Sequence, residues 1–434
     1  MYEELKGKRL LIVGSAENVI SMVNAAHELG VYVVVVDGRE NWEQAPAKKV
    51  ADEGWDIDYQ KTDEIVERCK MCGITGVMTG YSEFWVLAAC RIAQGLGVPF
   101  YATEEQIILT RNKRIFKDTC QKYGVKIPKD YCFTYPVSEE TKDNIEFPVI
   151  VKPADYGGRK GITVCDERYQ LDFAIEYAFS KSESGTIIVE EYLKGTEFNA
   201  IYTIVDGKIS LSCVNEKYIT NDQGRKTGLC NFVVAPAFFL DEFITQADQP
   251  LKDFLRRIEA KNGVAFFQGM YTSRGIYVFE MGYRVNGNND FNVIEDNNGI
   301  NFMKMLINHT LTGSMGIGIE KDNPKFNGYT ASLPINVHAG CAKKVDYSAL
   351  SHHPNFYDID CQIKPGKVIV EDGSTHQKVM LLKMKANSID ELHQFYDFAI
   401  ANIIIEDENG RDMKFEPFDF ERVIVNHISG GVCG

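Results

Sequence analysis

Short β-branched apolar runs alternate with amphipathic stretches at the start of this chain. Arg9–Val13 and Tyr32–Val36 are continuous apolar runs of strand length, and between them Val19–Leu29 places apolar residues at helical spacing. The pattern repeats with a strand at Ile74–Met78, a helix at Phe84–Leu96 and the segment Val98–Phe100. Strand, helix and strand in succession predict a parallel sheet, so residues 1–105 are expected to form a Rossmann-like unit. Helices are predicted at Glu104–Thr110, Ile115–Tyr123 and Arg168–Ser180, with strands at Val149–Val151 and Thr186–Glu191. From Phe198 the pattern turns antiparallel. Phe198–Val205 and Lys208–Val214 bracket Asp206-Gly207, a hairpin signal. A helix over Phe243–Lys261 precedes a second hairpin, Ala265–Thr272 and Ile276–Met281, and a helix at Asn301–Leu311. The end is strand-rich, with Tyr329–Val337, Val368–Val370 and Val379–Met384 before a helix at Ile389–Ile400.

The class is therefore α/β leading into α+β. A chain of 434 residues exceeds the roughly 250–300 at which single cores stop growing. Four units are expected, over residues 1–105, 106–185, 186–328 and 329–434. The formal charge of −14, without any basic stripe, argues against nucleic-acid binding. No apolar run reaches the ~18 residues that span a bilayer, so no membrane partner is expected. The mixed-charge start lacks the pattern of a signal peptide and predicts a cytoplasmic protein. The eleven cysteines should then be thiols, including Cys69 and Cys72, which lack a second pair for zinc.

Candidate chemistry concentrates in a few stretches. Val149–Val151 runs into Lys152-Pro153 and a loop with Gly157, Gly158, Arg159, Lys160 and Gly161, which combines close backbone approach with positive charge, as a polyphosphate needs. It is neither a Walker A loop nor a dinucleotide fingerprint. Gly14-Ser15 after the first strand lacks the later glycines of that fingerprint, although Asp37 lies where a ribose-binding acid would sit in an NAD protein. Ser82 and Glu83, between strand and helix, could line a substrate site, or Ser82 could cap the helix. Glu190-Glu191-Tyr192-Leu193 is a hinge between strands whose backbone groups could pair with adenine. Arg225, in the polar stretch Lys217–Gly228, could hold an acidic substrate. Glu280 stands in an apolar strand and needs either a cation or an ion pair, with Arg284 as the available partner.

In this order, Asn112-Lys113, Val151-Lys152-Pro153 with its glycine loop, Glu190–Leu193 with Glu197, and Phe279-Glu280-Met281 with Arg284 resemble the ATP-grasp superfamily. The likeness is to the branch holding biotin carboxylase, the carbamoyl-phosphate synthetase large subunit and the glycinamide ligases. The resemblance implies a Rossmann-like domain, an ATP-grasp fold and a small strand-rich C-terminal domain. It implies that Lys113 and Lys152 meet the phosphates of ATP, that Gly157, Gly158, Lys160 and Gly161 cover them, and that Glu190–Leu193 receives adenine. Glu197 would bond the ribose, Glu280 would hold Mg²⁺ and Arg284 would face the transferring phosphoryl group. The expected activity is an ADP-forming ligase joining a small carboxylate to an amine, with a homodimer by analogy. Two departures stand out. Gln268 occupies the place of a second acidic metal ligand, and Gly282 replaces the usual asparagine, for which Asn286 or Asn288 is a candidate substitute. The competing readings are a non-catalytic or impaired ATP-binding module, a carbamoyl-phosphate-type enzyme and an NAD-dependent enzyme.

Overall fold

The computed structural model describes residues 2–132, 134–154, 161–219, 228–287, 290–370 and 377–429. Arg9–Val13, Tyr32–Val36, Glu53–Trp55 and Gly76–Thr79 form a parallel sheet in which the first strand lies between the second and the fourth. Their residues are buried almost throughout, because the helices Ile20–Glu28 and Glu83–Leu96 pack on the sheet. Gly76–Thr79 is an edge strand, and it is covered. Thr310, on the helix Phe302–Thr312, accepts from the Val77 N–H at 2.9 Å and donates to the Val77 carbonyl at 2.6 Å. A Cβ on Gly76 would lie 2.9 Å from the Thr310 carbonyl oxygen, so glycine lets this helix close over the edge.

A smaller antiparallel sheet follows, ordered Asp130–Cys132, Ile187–Glu191, Val149–Pro153 and Thr163–Cys165. The helix Leu171–Phe179 buries Leu171, Ala174, Ile175 and Ala178 against it. The third assembly is an eight-stranded antiparallel sheet. Within it Gly275–Gly282, Gly263–Thr272, Thr196–Val205 and Lys208–Ile219 lie side by side in that order. The sheet continues through Cys230–Ala235 into Tyr329–Asn336, Lys378–Ala386 and Phe356–Cys361, so it runs unbroken across positions 328 and 329.

Most expected elements recur with small differences in bounds, but Val98–Phe100 is not a strand of the parallel sheet, whose edge beyond Gly76–Thr79 is taken by the helix of Thr310. The helix foreseen at Phe243–Lys261 begins at Leu240, passes through a π-turn at Ile244–Asp248 and ends at Arg257. Cys230–Ala235, Gly340–Asp346, Phe356–Cys361 and the helices Phe291–Asn298 and Glu421–Ser429 are elements that periodicity did not bring out. Among the described residues no helix is long and apolar enough to cross a membrane.

Replacing Thr310 with valine keeps shape and strands a buried N–H and C=O on Val77. Thr310→Val is expected to lose about 1–3 kcal/mol of stability, measured by urea denaturation; an unchanged midpoint would show that water replaces the hydroxyl.

Candidate functional site

The cleft between the two antiparallel sheets brings the expected residues together. Lys152 sits on the strand Val149–Pro153 with its ammonium 5.8 Å from the centre of the Phe279 ring, one residue before Glu280 on the opposing sheet. Lys113 opens the helix Lys113–Lys122, which Asn112 caps, and reaches the Ala154 carbonyl at 3.4 Å at the start of the glycine loop. Gly157, Gly158, Arg159, Lys160, Arg225 and Asn288 lie outside the described residues. Gly161 has φ +79, and a Cβ there would lie 2.8 Å from Pro153, so the loop rejoins the sheet through a conformation that suits glycine.

Glu190 is the centre of a buried charge network. Its carboxylate is buried between the ammonium groups of Lys152 and Lys117, and Lys117 also pairs with Asp130. Burial alone would raise the Glu190 carboxyl, but the charges of Lys152 and Lys117 outweigh it and hold the group below its usual range. Burial lowers the Lys152 ammonium against the opposing pull of Glu190. The sequence offered a signal for Lys117 only as a cation on the buried side of an amphipathic helix, and that signal was missed.

The hinge is less free than expected. The Glu191 N–H donates to Lys129 O at 2.8 Å and the Tyr192 N–H to Pro148 O at 3.1 Å, so two of its donors are already engaged. The Glu191 carboxylate pairs with Arg274, and the Leu193 side chain is buried. Glu197 pairs across the sheet with Lys217 at 3.1 Å.

Arg284 does not neutralise Glu280. Its Nε donates to Glu83 Oε1 at 2.5 Å, and its guanidinium lies 5.0 Å from the centre of the Phe266 ring. Glu83 begins the helix Glu83–Leu96 of the first sheet's layer, so this pair spans two layers of the molecule. Ser82 stands at the N-cap of that helix without a side-chain capping bond. Glu280 makes no hydrogen bond or ion pair among the described residues. Gly282 has a steric cause: it faces Phe266 in register, and a Cβ there would lie 2.4 Å from that ring. An asparagine at position 282 would collide with the ring under Arg284. Asn286 Nδ2 donates to Asp290 at 2.9 Å, which leaves the buried Asn286 Oδ1 without a hydrogen-bond partner.

One row of side chains crosses the sheet here. Glu280 faces Gln268, Gln268 faces Asn199 and Asn199 faces Asn215, each directly opposite the next. Gln268 Nε2 donates to Asn199 Oδ1 at 2.9 Å, and Asn199 Nδ2 to Asn215 Oδ1 at 3.1 Å. For a divalent cation, the unpaired Glu280 carboxylate and the Gln268 amide oxygen are hard oxygen donors. That sparse set fits Mg²⁺, which takes one or two protein oxygens and completes its shell with phosphates and water. Among the described residues no group of three or more His, Cys, Asp or Glu could hold a metal without such help.

The first layer does not offer a dinucleotide site. Trp85 packs directly on Gly14, where a Cβ would lie 2.2 Å from its ring, and it also crowds Gly80. These glycines make room for an indole at the ends of neighbouring strands. Asp37 accepts from the Arg39 N–H at 3.0 Å and pairs with its guanidinium. Burial pushes the Cys69 thiol up to about 12, so this cysteine is not a thiolate near neutral pH.

Glu190→Gln removes the charge shared by Lys117 and Lys152. The folded carboxyl lies below its unfolded value, so its contribution is present above about pH 4.3 and is lost as pH falls through the folded value. The variant is expected to lose about 3–5 kcal/mol near neutral pH, with the deficit shrinking in acid, read from denaturation midpoints across pH.

Residues 125–222 match the family model described as D-ala D-ala ligase C-terminus. Phosphoribosylamine–glycine ligase of Clostridium acetobutylicum is 24% identical over 251 residues, covering 53% of this chain and 58% of the relative. The chain thus spans somewhat over half the length of that relative. Among solved structures, an L-amino acid ligase from Bacillus licheniformis superposes with a TM-score of 0.77 at 17% identity, over 93% of this chain and 100% of that one. The biotin carboxylase domain of Hydrogenobacter thermophilus 2-oxoglutarate carboxylase, described with MgADP and bicarbonate, superposes with a TM-score of 0.76 at 18% identity, over 92% and 90%. The fold is that of ATP-grasp structures, and the family match within it covers residues 125–222.

Proposed function

We propose that the chain is an ATP-dependent, ADP-forming ligase that activates a small carboxylate as an acylphosphate and joins it to an amine. The observation that carries this reading is the approach of Lys152, from one sheet, to the strand of the unpaired Glu280 on the other. A cation and a free carboxylate facing one cleft suit a metal-bound polyphosphate. The solved relatives described with MgADP and as an amino acid ligase support it.

In this reading Lys152 and Lys113 hold the phosphates of ATP, with Glu197 and the hinge at the nucleoside end. A substrate carboxylate oxygen attacks the γ-phosphorus, the bond to ADP breaks, and a mixed anhydride forms. The amine nitrogen then attacks the carbonyl carbon, the C–O bond to phosphate breaks, and the nitrogen gives up a proton. Mg²⁺ held by Glu280 and Gln268 would neutralise charge on the phosphates during the first step. Arg284, anchored by Glu83, is a fixed cation near the transferred group, which is worth most where water is excluded. A homodimer and a cytoplasmic setting are parts of this proposal.

Incubated with ATP, Mg²⁺ and pools of amino acids and other small carboxylates and amines, the protein is expected to release ADP and phosphate only when both partners are present. Glu280→Gln should abolish that release by about 100-fold or more, whereas nucleotide binding without turnover in every pool would leave a non-catalytic module. Because burial lowers the Lys152 ammonium, ATP affinity should fall on raising the pH below the usual lysine value of about 10.4. Lys152→Arg, whose guanidinium stays charged, should move that limb upward; an identical limb would assign it elsewhere.

A further inference from the structure

The replacement of an acidic ligand by Gln268 changes what the site must control. A carboxylate presents an oxygen whichever way it turns, but an amide presents oxygen on one side and N–H₂ on the other. Turned the wrong way, Gln268 would aim a donor at the cation and leave Glu280 as the only protein oxygen. The side chain therefore needs an external reason to hold one orientation.

The row across the sheet supplies it. Asn199 is 4% and Asn215 2% exposed, and both sit directly in line with Gln268 on adjacent strands. Asn199 Oδ1 accepts from Gln268 Nε2, and the other end of the same amide donates to Asn215. In this arrangement each amide directs the next. With its N–H₂ spent on Asn199, Gln268 keeps its oxygen on the side of Glu280.

We propose that Asn199 and Asn215 are positioning residues that orient the Gln268 amide, so that a neutral oxygen and the single Glu280 carboxylate together form the seat for a nucleotide-bound divalent cation. The inference rests on the nucleotide reading above but concerns the metal alone. It adds two residues that contact neither nucleotide nor cation, and it makes the seat less negative by one charge than a pair of carboxylates.

Mn²⁺ is the probe, titrated by electron paramagnetic resonance against the whole protein saturated with ADP. Asn199→Leu, which keeps volume and removes both hydrogen bonds, should weaken Mn²⁺ binding about tenfold or more, while metal-free ADP affinity stays as in the wild type. A general defect in the strand would weaken both, because Glu197 lies two residues away on it. Asn199→Asp keeps an acceptor for Gln268 and should retain most of the Mn²⁺ affinity. Adding Gln268→Glu to Asn199→Leu should restore binding, since a carboxylate needs no orienting. If the leucine variant does not fold, Asn199→Ser, too short to hold Gln268, is read in the same way. Unchanged Mn²⁺ affinity in Asn199→Leu, equal loss of metal-free ADP binding, or no rescue by Gln268→Glu would overturn this inference alone. A wild-type protein that binds ADP but no Mn²⁺ would overturn it together with the metal seat, and failure to bind ADP would overturn the nucleotide reading.

Discussion

A buried carboxylate held between two lysines is the constraint around which the cleft is built. Glu190 and Lys117 are nearly inaccessible, and Lys152 is 8% exposed. Ions taken out of water cost several kcal/mol each, and only good geometry and counter-charges offset that. Glu190, Lys152, Lys117 and Asp130 meet the requirement as two anions and two cations. The consequence is positional. If Lys152 swung into solvent, Glu190 would keep only Lys117, which is shared with Asp130, so the ammonium is held at the edge of the cleft. The same network fastens the helix Lys113–Lys122 to the small sheet, which sets Lys113 at the base of the glycine loop.

Much of this was legible because strand periodicity is strong where both sheet faces are covered. Arg9–Val13 and Tyr32–Val36 fall where the apolar runs predicted them, and Lys113 reaches the Ala154 carbonyl while Lys152 faces the ring of Phe279, the neighbour of Glu280. What could not be read is pairing over long separations. Glu280 and Arg284 lie four residues apart and look like partners, yet the arginine takes Glu83, some two hundred positions earlier, because the first layer folds over the end of that strand. The hinge hid two of its partners for a related reason. Its N–H groups meet carbonyls of Lys129 and Pro148, which only the sheet brings alongside. Phe356–Cys361 and Gly340–Asp346 are short and partly exposed strands, so they lack the apolar signature that marks central ones.

The two departures from the family pattern turn out to have different physical origins. Gly282 is steric: Phe266 lies against it and under the Arg284 guanidinium, so the space an amide would occupy is filled by the ring that supports the arginine. One aromatic side chain thus both excludes a side chain at position 282 and lies beneath Arg284. Gln268 is electrostatic, and its neighbours carry the compensation.

Those neighbours also explain why the sheet tolerates so many buried amides. An isolated buried asparagine leaves polar groups without partners at about 1–3 kcal/mol each, a cost that would disfavour amides at positions 199 and 215 if each stood alone. A chain of amides shares its hydrogen bonds, so the residual cost falls at its ends. One end is Asn215. The other is the oxygen of Gln268, beside a carboxylate with no partner of its own among the described residues. Gln268 and Glu280 are both half-buried, so water reaches this end of the row in the empty cleft and a cation would replace it there. The polar row thus ends, on the reading proposed above, at the point where a metal-bound nucleotide would enter, with its buried members satisfied by one another.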